Sequence, residues 1–324
     1  MNKVKLGHTD LLVSELCLGC MYFGWREERG QSWERLDQYM AAGGNFLDTA
    51  NIYSGHFLKD KDYFGKNIDT YVDGASERLL GEWMKQRQNR HELILASKVG
   101  FPYPRVPYGT SASRIKCECD KSLRRLGTDY LDLYYLHTDD SDTPMEESLC
   151  ALDELVKEGK VRQIGASNFS AWRLERALQI SRHNGWAEYC CIQQRYTYLR
   201  PKSGWDFGGQ KSVNEDLLDF VKDSGLTLLA YSPLLRGAYV NPAKPLMEQY
   251  VGPDSDRRLQ VLAEIAQEVG ATKNQLVYYY LLHTTPPAIP LVASSTAGQF
   301  DEALGTLTLT LTAEQMTRLE KARF

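Results

Sequence analysis

Eight short apolar runs recur along this chain, each separated from the next by a longer stretch, and that alternation constrains the fold more than any single residue. The runs fall at 16–18, 46–48, 93–98, 131–137, 163–166, 189–193, 227–230 and 288–292. Amphipathic stretches with helical spacing lie at 32–42, 76–86, 111–126, 144–158, 171–183, 213–224 and 258–269. Strands joined through a helix run parallel, and eight such units close naturally into an α/β barrel, the TIM (β/α)8 architecture. No Gly-x-Gly-x-x-Gly follows an early strand, which argues against an open dinucleotide-binding sheet. Ser76 and Ser170 read as helix caps, and Gly159, Gly225 and Gly270 as helix stops. Residues 4–13, with Gly7-His8-Thr9-Asp10 at the turn, predict an N-terminal β-hairpin covering one end of the barrel. Residues 312–322 predict an extra C-terminal helix capped by Thr312, and the whole span 1–324 reads as one domain.

Composition narrows the partners. A net charge of −4 over 324 residues gives no general attraction to nucleic acid or to an anionic membrane. No apolar run approaches the ~20 residues of a membrane helix, and charge and glycine interrupt the N-terminus too early for a signal sequence. Seven scattered cysteines without metal-type spacing predict reduced thiols in a cytoplasm. Cys117 and Cys119 stand two apart on a helical pattern and are expected on different faces. Monomer and homo-oligomer both stay open.

Three of the runs end in groups that an apolar strand has no structural need for. Asp48 and Tyr53 lie in NFLDTANIYSG, Lys98 in LILASKVG and His137 in YLDLYYLHTDD. In a parallel barrel the C-terminal strand ends face one mouth, so these four are expected to converge. A free phenol ionises near pH ~10. An ammonium beside it stabilises the phenolate, and a carboxylate fixes the ammonium. Tyr53 is then expected to give a proton near neutral pH, while a neutral His137 orients and polarises a carbonyl oxygen. Taken singly, each has an ordinary reading: a chance Asp-x4-Tyr pair, a lysine reaching to solvent, a satisfied core histidine. Their conjunction on separate strand ends predicts carbonyl chemistry, in which an alkoxide is neutralised as hydride arrives at carbon.

At these residues the chain resembles the aldo-keto reductase superfamily, over nearly its whole length. KLGHTDLLVSELCLGCMYFG is similar to that family's opening, NFLDTANIYSG to its DTA-x-x-Y-G signature with Ser54 inserted, and SLRRLGTDYLDLYYLH to its SL-x-x-L-x-x-DY-x-DL-x-x-x-H signature. The family's catalytic tetrad falls on Asp48, Tyr53, Lys98 and His137, all matched in type. The resemblance implies a TIM barrel that reduces or oxidises a carbonyl/alcohol pair with a nicotinamide cofactor.

Other strand ends suit that cofactor. Ser167 and Asn168 are short hydrogen-bonding groups fit for a carboxamide, Gln193 offers a donor and an acceptor, and the ring of Tyr231 can stack on a nicotinamide. Their ordinary reading is a helix cap and core packing. By resemblance, Gly165-Ala166-Ser167-Asn168 matches the family's G-x-SN, Gln193 its carboxamide-binding glutamine, and Tyr231 its stacking aromatic. Ser232, Leu234 and Gly237 match positions whose backbone approaches the pyrophosphate, and Gly19, Met21 and Asp48 complete the expected cofactor contacts. After the eighth run, Ser294 and Ser295 precede a helix carrying Gln299 and Glu302, a setting suited to a phosphate. Here the chain departs from the family pattern. Ala293 stands for the usual Gly, Thr296 for a frequent Arg or Lys, and Ala303 for Asn. Losing a cation weakens the case for strict NADP(H) use. Ser294, Ser295, Gln299 and Arg236 can still hold a 2′-phosphate, so NADP(H) is the family default and NAD(H) or dual use stands beside it.

The mouth is expected to be lined by Tyr22, Phe23, Trp25, Phe101, Tyr103 and Trp205, with His137 as a substrate contact. Aromatic walls suit an apolar carbonyl and also stack on sugar rings. The stretch 54–75 carries Asp60, Lys61, Asp62, Tyr63, Lys66 and Asn67, which fit either a polyol substrate or a solvated loop. A redox-sensing subunit that keeps the cofactor is the second reading. A metal-dependent barrel hydrolase would need clustered ligands, and the six histidines lie mostly away from the strand ends.

Overall fold

The computed structural model describes residues 1–54 and 73–323. A two-stranded antiparallel hairpin, β1 (Lys3–Lys5) and β2 (Leu12–Ser14), precedes a closed barrel. In chain order the barrel runs β3 (Cys17–Gly19), α1 (Arg29–Ala41), β4 (Phe46–Asp48), α2 (Ala75–Arg87), β5 (Ile94–Val99), α3 (Ala112–Leu126), β6 (Leu131–Leu136) and α4 (Met145–Lys157). It continues through β7 (Val161–Ser167), α5 (Ala171–Asn184), β8 (Tyr189–Arg195), α6 (Glu215–Ser224), β9 (Thr227–Tyr231), α7 (Pro253–Val269), α8 (Lys273–His283) and β10 (Ala288–Val292). Helices α9 (Ala297–Gly305) and α10 (Ala313–Lys321) follow. All eight barrel strands pair in parallel, and β10 closes against β3. This is the TIM (β/α)8 barrel that the alternation predicts.

Each strand is buried on both faces, which is why the sequence shows continuous apolar runs instead of alternation. One face packs outward under the helices through Leu47, Leu95, Tyr134, Leu136, Ile164, Ile192, Leu228 and Val292. The other fills the barrel with Cys17, Phe46, Ala96, Leu133, Tyr135, Cys191, Leu229 and Leu291. Gly165 belongs to this inner packing, because a Cβ there would stand 2.8 Å from both the Cys191 Sγ and the Tyr135 ring. The hairpin seals the N-terminal end. Leu6 and Val13 are fully buried in the inner cluster, and the Gly7 amide donates to Thr227 Oγ1 at 2.6 Å. Gly7 has a left-handed φ of 56°, and a Cβ there would meet the Cys190 carbonyl oxygen at 2.2 Å, so only glycine fits.

Several local expectations are corrected. Ser76 sits inside α2, where its hydroxyl bonds Thr49 and the Cys20 carbonyl, and Gly74 occupies the cap position. Ser170 does hold the cap position of α5, without a side-chain cap bond. Helix α7 begins at Pro253, five residues before the expected start at Arg258. Arg258 is fully buried, donating to the carbonyls of Tyr198 (2.8 Å) and Ala322 (3.0 Å), which ties the C-terminal segment to the barrel. Helix α8 has no counterpart among the expected stretches. Its Leu276, Val277, Tyr278, Tyr279, Tyr280 and Leu281 are all buried, so it shows no amphipathic period. Thr312 caps α10 through a reciprocal box with Gln315, as expected. Cys117 is exposed and Cys119 buried, on different faces of α3. Among the described residues no helix is long and apolar enough to cross a membrane.

Candidate active site

The inward periodicity of two carries polar groups to the C-terminal mouth. On β4 the inward residue after Phe46 is Asp48, on β5 the one after Ala96 is Lys98, and on β8 the one after Cys191 is Gln193. His137 follows β6, two residues beyond Tyr135. Lys98 is wholly buried. Its ammonium donates to Asp48 Oδ1, to the Thr49 carbonyl at 2.8 Å and to the Tyr53 hydroxyl at 3.3 Å. The Tyr53 ring meets the His137 imidazole edge-on, with centroids 5.9 Å apart. The four residues expected to converge are therefore together.

Burial opposes the charge on Lys98, but Asp48 and Tyr53 outweigh it and hold the ammonium above its ordinary value of 10.5. Burial also raises the Tyr53 phenol above its ordinary 10.0, and the Lys98 charge offsets this only in part. A lowered Tyr53 pKa, which the neighbouring ammonium leads one to expect, is not what the free protein has. Desolvation of the phenolate is the larger effect, so Tyr53 rests fully protonated. Burial, and then the Lys98 charge, pushes His137 well below 6.5, so its imidazole is neutral. His137 Nδ1 is buried without a hydrogen-bond partner among the described residues.

The neighbouring strand ends show what else lines this mouth. Gln193 Nε2 donates to Asp48 Oδ2 at 2.7 Å, so both carboxylate oxygens of Asp48 are engaged. The Asn168 amide donates to the His137 carbonyl (2.9 Å) and to Ser167 Oγ (3.1 Å). Its oxygen accepts from Tyr231 OH (2.7 Å) and the Lys211 amide (3.0 Å). Gly19 ends β3 level with Asp48, and Met21 packs on the Tyr53 cluster. Phe101 meets His137 edge-on at 4.8 Å, and Tyr22 and Trp25 lie 5.8 Å apart. Phe23, expected in the mouth wall, is instead 2% exposed and packed in the outer core, because its segment turns inward under α2. Tyr103 is buried among Ala50, Ile52 and Tyr53, while Trp205 lies in the half-exposed 195–212 connection. The polar residues between 60 and 67 fall outside the described residues.

A dinucleotide needs an anion-binding rim, and the residues present fit one. After β9 the backbone turns left-handed at Ser232 (φ 56°), Leu235 (48°), Arg236 (62°) and Gly237 (92°), beside Leu234. Successive amides in such turns form concavities for anions. Ser294 Oγ is buried just before α9 without a hydrogen-bond partner among the described residues. Gln299 accepts from the Ser295 amide at 2.9 Å and so braces that turn, and Asn274 Nδ2 donates to the Glu302 carboxylate. Sequence reading missed Thr49 and Ser76, which bond each other beneath the loop from Asp48 to Tyr53. The place of Thr49 inside the DTANIYSG run was the available signal, whereas Ser76 lies well beyond that run and reads from sequence only as a helix cap.

A model described as the aldo/keto reductase family matches residues 15–323. A norsolorinic acid reductase of Emericella nidulans is 29% identical over 328 residues, covering 95% of this chain and 78% of that protein. An uncharacterised oxidoreductase of Bacillus subtilis is 28% identical, covering 98% of this chain and 95% of its own. An aryl-alcohol dehydrogenase of Pestalotiopsis microspora is 27% identical, covering 95% and 78% respectively.

Proposed function

This chain belongs to the aldo/keto reductase family of carbonyl oxidoreductases, and on that footing we propose that it moves a hydride between NADP(H) and an aromatic aldehyde or ketone, or the corresponding alcohol, with Tyr53 as the proton donor. The observation that carries this reading is the buried contact of Lys98 with Asp48, the Thr49 carbonyl and the Tyr53 hydroxyl. Bound nicotinamide supplies the hydride. Everything else is the work of this chain's side chains. Neutral His137 offers an N–H to the substrate oxygen and orients the carbonyl. The Tyr53 hydroxyl gives that oxygen a proton as the C–O double bond becomes a single bond. Lys98, held in place by Asp48, stabilises the phenolate left behind. Gln193 and Thr49 keep Asp48 and Lys98 in register, so little reorganisation is needed when the charge moves.

Ser167, Asn168, Gln193 and Tyr231 are the groups suited to the nicotinamide end. Ser232, Leu234 and Gly237 suit the pyrophosphate, and Ser294, Ser295, Gln299 and Arg236 the adenosine phosphate. NADP(H) is the family's usual cofactor. The absence of a cation at Thr296 keeps NAD(H) within reach. Phe101, with Tyr22 and Trp25, supports an aromatic substrate, in line with the aryl-alcohol dehydrogenase among the relatives. The test is the fall in absorbance at the dihydronicotinamide band with 4-nitrobenzaldehyde, run with NADPH and with NADH. Turnover with either supports the reading, and a large NADH advantage overturns the cofactor choice. Cofactor binding without turnover across a panel of aromatic, aliphatic and sugar carbonyls would instead support a sensor subunit.

A further inference from the structure

The loop from Asp48 to Tyr53 has to hold a phenol at the edge of hydrogen-bonding range. The 3.3 Å between Lys98 Nζ and Tyr53 OH is long for a hydrogen bond, so a shift of a few tenths of an ångström weakens it sharply. Backbone contacts fix the ends of this loop. The Thr49 amide donates to the Ala96 carbonyl at 3.0 Å, and the Ser76 amide to the Tyr53 carbonyl at 3.1 Å. Its middle is fixed from another direction. Asn51 is fully buried, its amide donates to the Lys98 carbonyl at 3.3 Å, and its side-chain Nδ2 donates to Glu118 Oε2 at 2.7 Å.

Glu118 stands on α3, outside the barrel, and is only 1% exposed. The same carboxylate accepts from the Tyr103 hydroxyl at 2.8 and 3.0 Å and from Lys121 at 2.8 Å. Tyr103 lies in the connection after β5, and its ring packs in one cluster with Ala50, Ile52 and Tyr53, against which Phe101 rests. One buried carboxylate therefore grips both the segment carrying the phenol and the segment carrying the aromatic wall. Packing alone does not demand a charge at this place. A buried carboxylate is costly unless its acceptor sites are filled, and here Asn51, Tyr103 and Lys121 fill them.

We propose that Glu118 is a positioning residue for the reaction: through Asn51 it sets the Tyr53–Lys98 contact, and through Tyr103 it sets the aromatic side of the substrate mouth. This rests on Tyr53 being the proton donor. Misplacement of a reacting group by about 1 Å can cost on the order of 10²-fold in rate, which gives the scale of the expected loss.

The experiment compares Glu118→Ala, Glu118→Gln, Asn51→Ala, Tyr103→Phe and the double variant Glu118→Ala/Asn51→Ala, with NADPH and 4-nitrobenzaldehyde. Glu118→Ala and Asn51→Ala should each lower kcat by about 10- to 100-fold, with the Kd for NADPH, read from protein fluorescence, within about twofold of wild type. The double variant should be no slower than the worse single one, because both break the same link. Glu118→Gln keeps an acceptor for Asn51 and should recover much of kcat, whereas Tyr103→Phe should raise KM more than it lowers kcat. Wild-type kcat in Asn51→Ala, or multiplicative losses in the double variant, overturns the proposal. If Glu118→Ala fails to fold, Asn51→Ala and Glu118→Gln decide the matter by the same criteria. A dead Tyr53→Phe beside fully active Glu118 and Asn51 variants sinks this inference alone. An active Tyr53→Phe sinks the assignment of the acid.

Discussion

At the floor of the barrel the inward residues of β4, β5 and β8 are Phe46, Ala96 and Cys191, and the hairpin residues Leu6 and Val13 close over them. Two residues further along the same strands stand Asp48, Lys98 and Gln193, with the Asp48 carboxylate accepting from both of the others across the mouth. The floor holds itself together by apolar burial and close contact. The mouth holds itself together by a few charged hydrogen bonds that must all be satisfied. From this difference, substitutions at the floor should cost stability and spare chemistry, while most at the mouth should do the reverse.

Tyr53→Phe is the strongest way to test the mouth. It should lower kcat by about 10²–10⁴-fold, the usual worth of a positioned acid, with NADPH affinity and the melting temperature close to wild type. Lys98→Met should break the simple contrast. It removes the partner of a buried Asp48, so a loss of activity should come with about 3–5 kcal/mol of destabilisation in chemical denaturation. An equally stable Lys98→Met would show that water relieves Asp48. At the floor, Leu133→Ala should cost about 2–5 kcal/mol through the cavity it leaves, with kcat per folded molecule unchanged. Gly7→Ala should cost about 1–3 kcal/mol, since its Cβ collides with the Cys190 carbonyl. A slower enzyme from either floor variant would mean that the two ends are coupled.

The smallest effect concerns pH. The proton affinity of His137 in the folded chain is depressed well below its ordinary 6.5, so the unfolded chain takes up that proton first as pH falls. The contribution is therefore fully present above 6.5 and is lost progressively below it. Thermal unfolding followed downward from neutral pH should show a loss of stability that is shallower in His137→Gln. Equal slopes would remove His137 from the acid sensitivity of the fold.

Much of this architecture was legible along the chain. The barrel strands announced themselves as short apolar runs because both of their faces are buried, and Asp48, Lys98 and His137 announced themselves by ending such runs in charge or imidazole. Helix α8 was invisible for the opposite reason. Its Tyr278-Tyr279-Tyr280 run is covered on all sides, so no periodicity separates one face from another. The early start of α7 was hidden by a polar first turn, Asp254-Ser255-Asp256, although Gly252-Pro253 marks it.

The order of the elements and the chemical types at their ends were determined by the sequence itself, because hydrophobic period, turn residues and strand-end chemistry are local properties. Partners and protonation were decided only by tertiary structure. Gln193 meets Asp48 across 145 residues of chain, and Glu118 reaches Asn51 across 67. Tyr53 keeps its proton because burial outweighs the ammonium beside it. Desolvation and distance enter those balances directly, and neither exists until the barrel has closed.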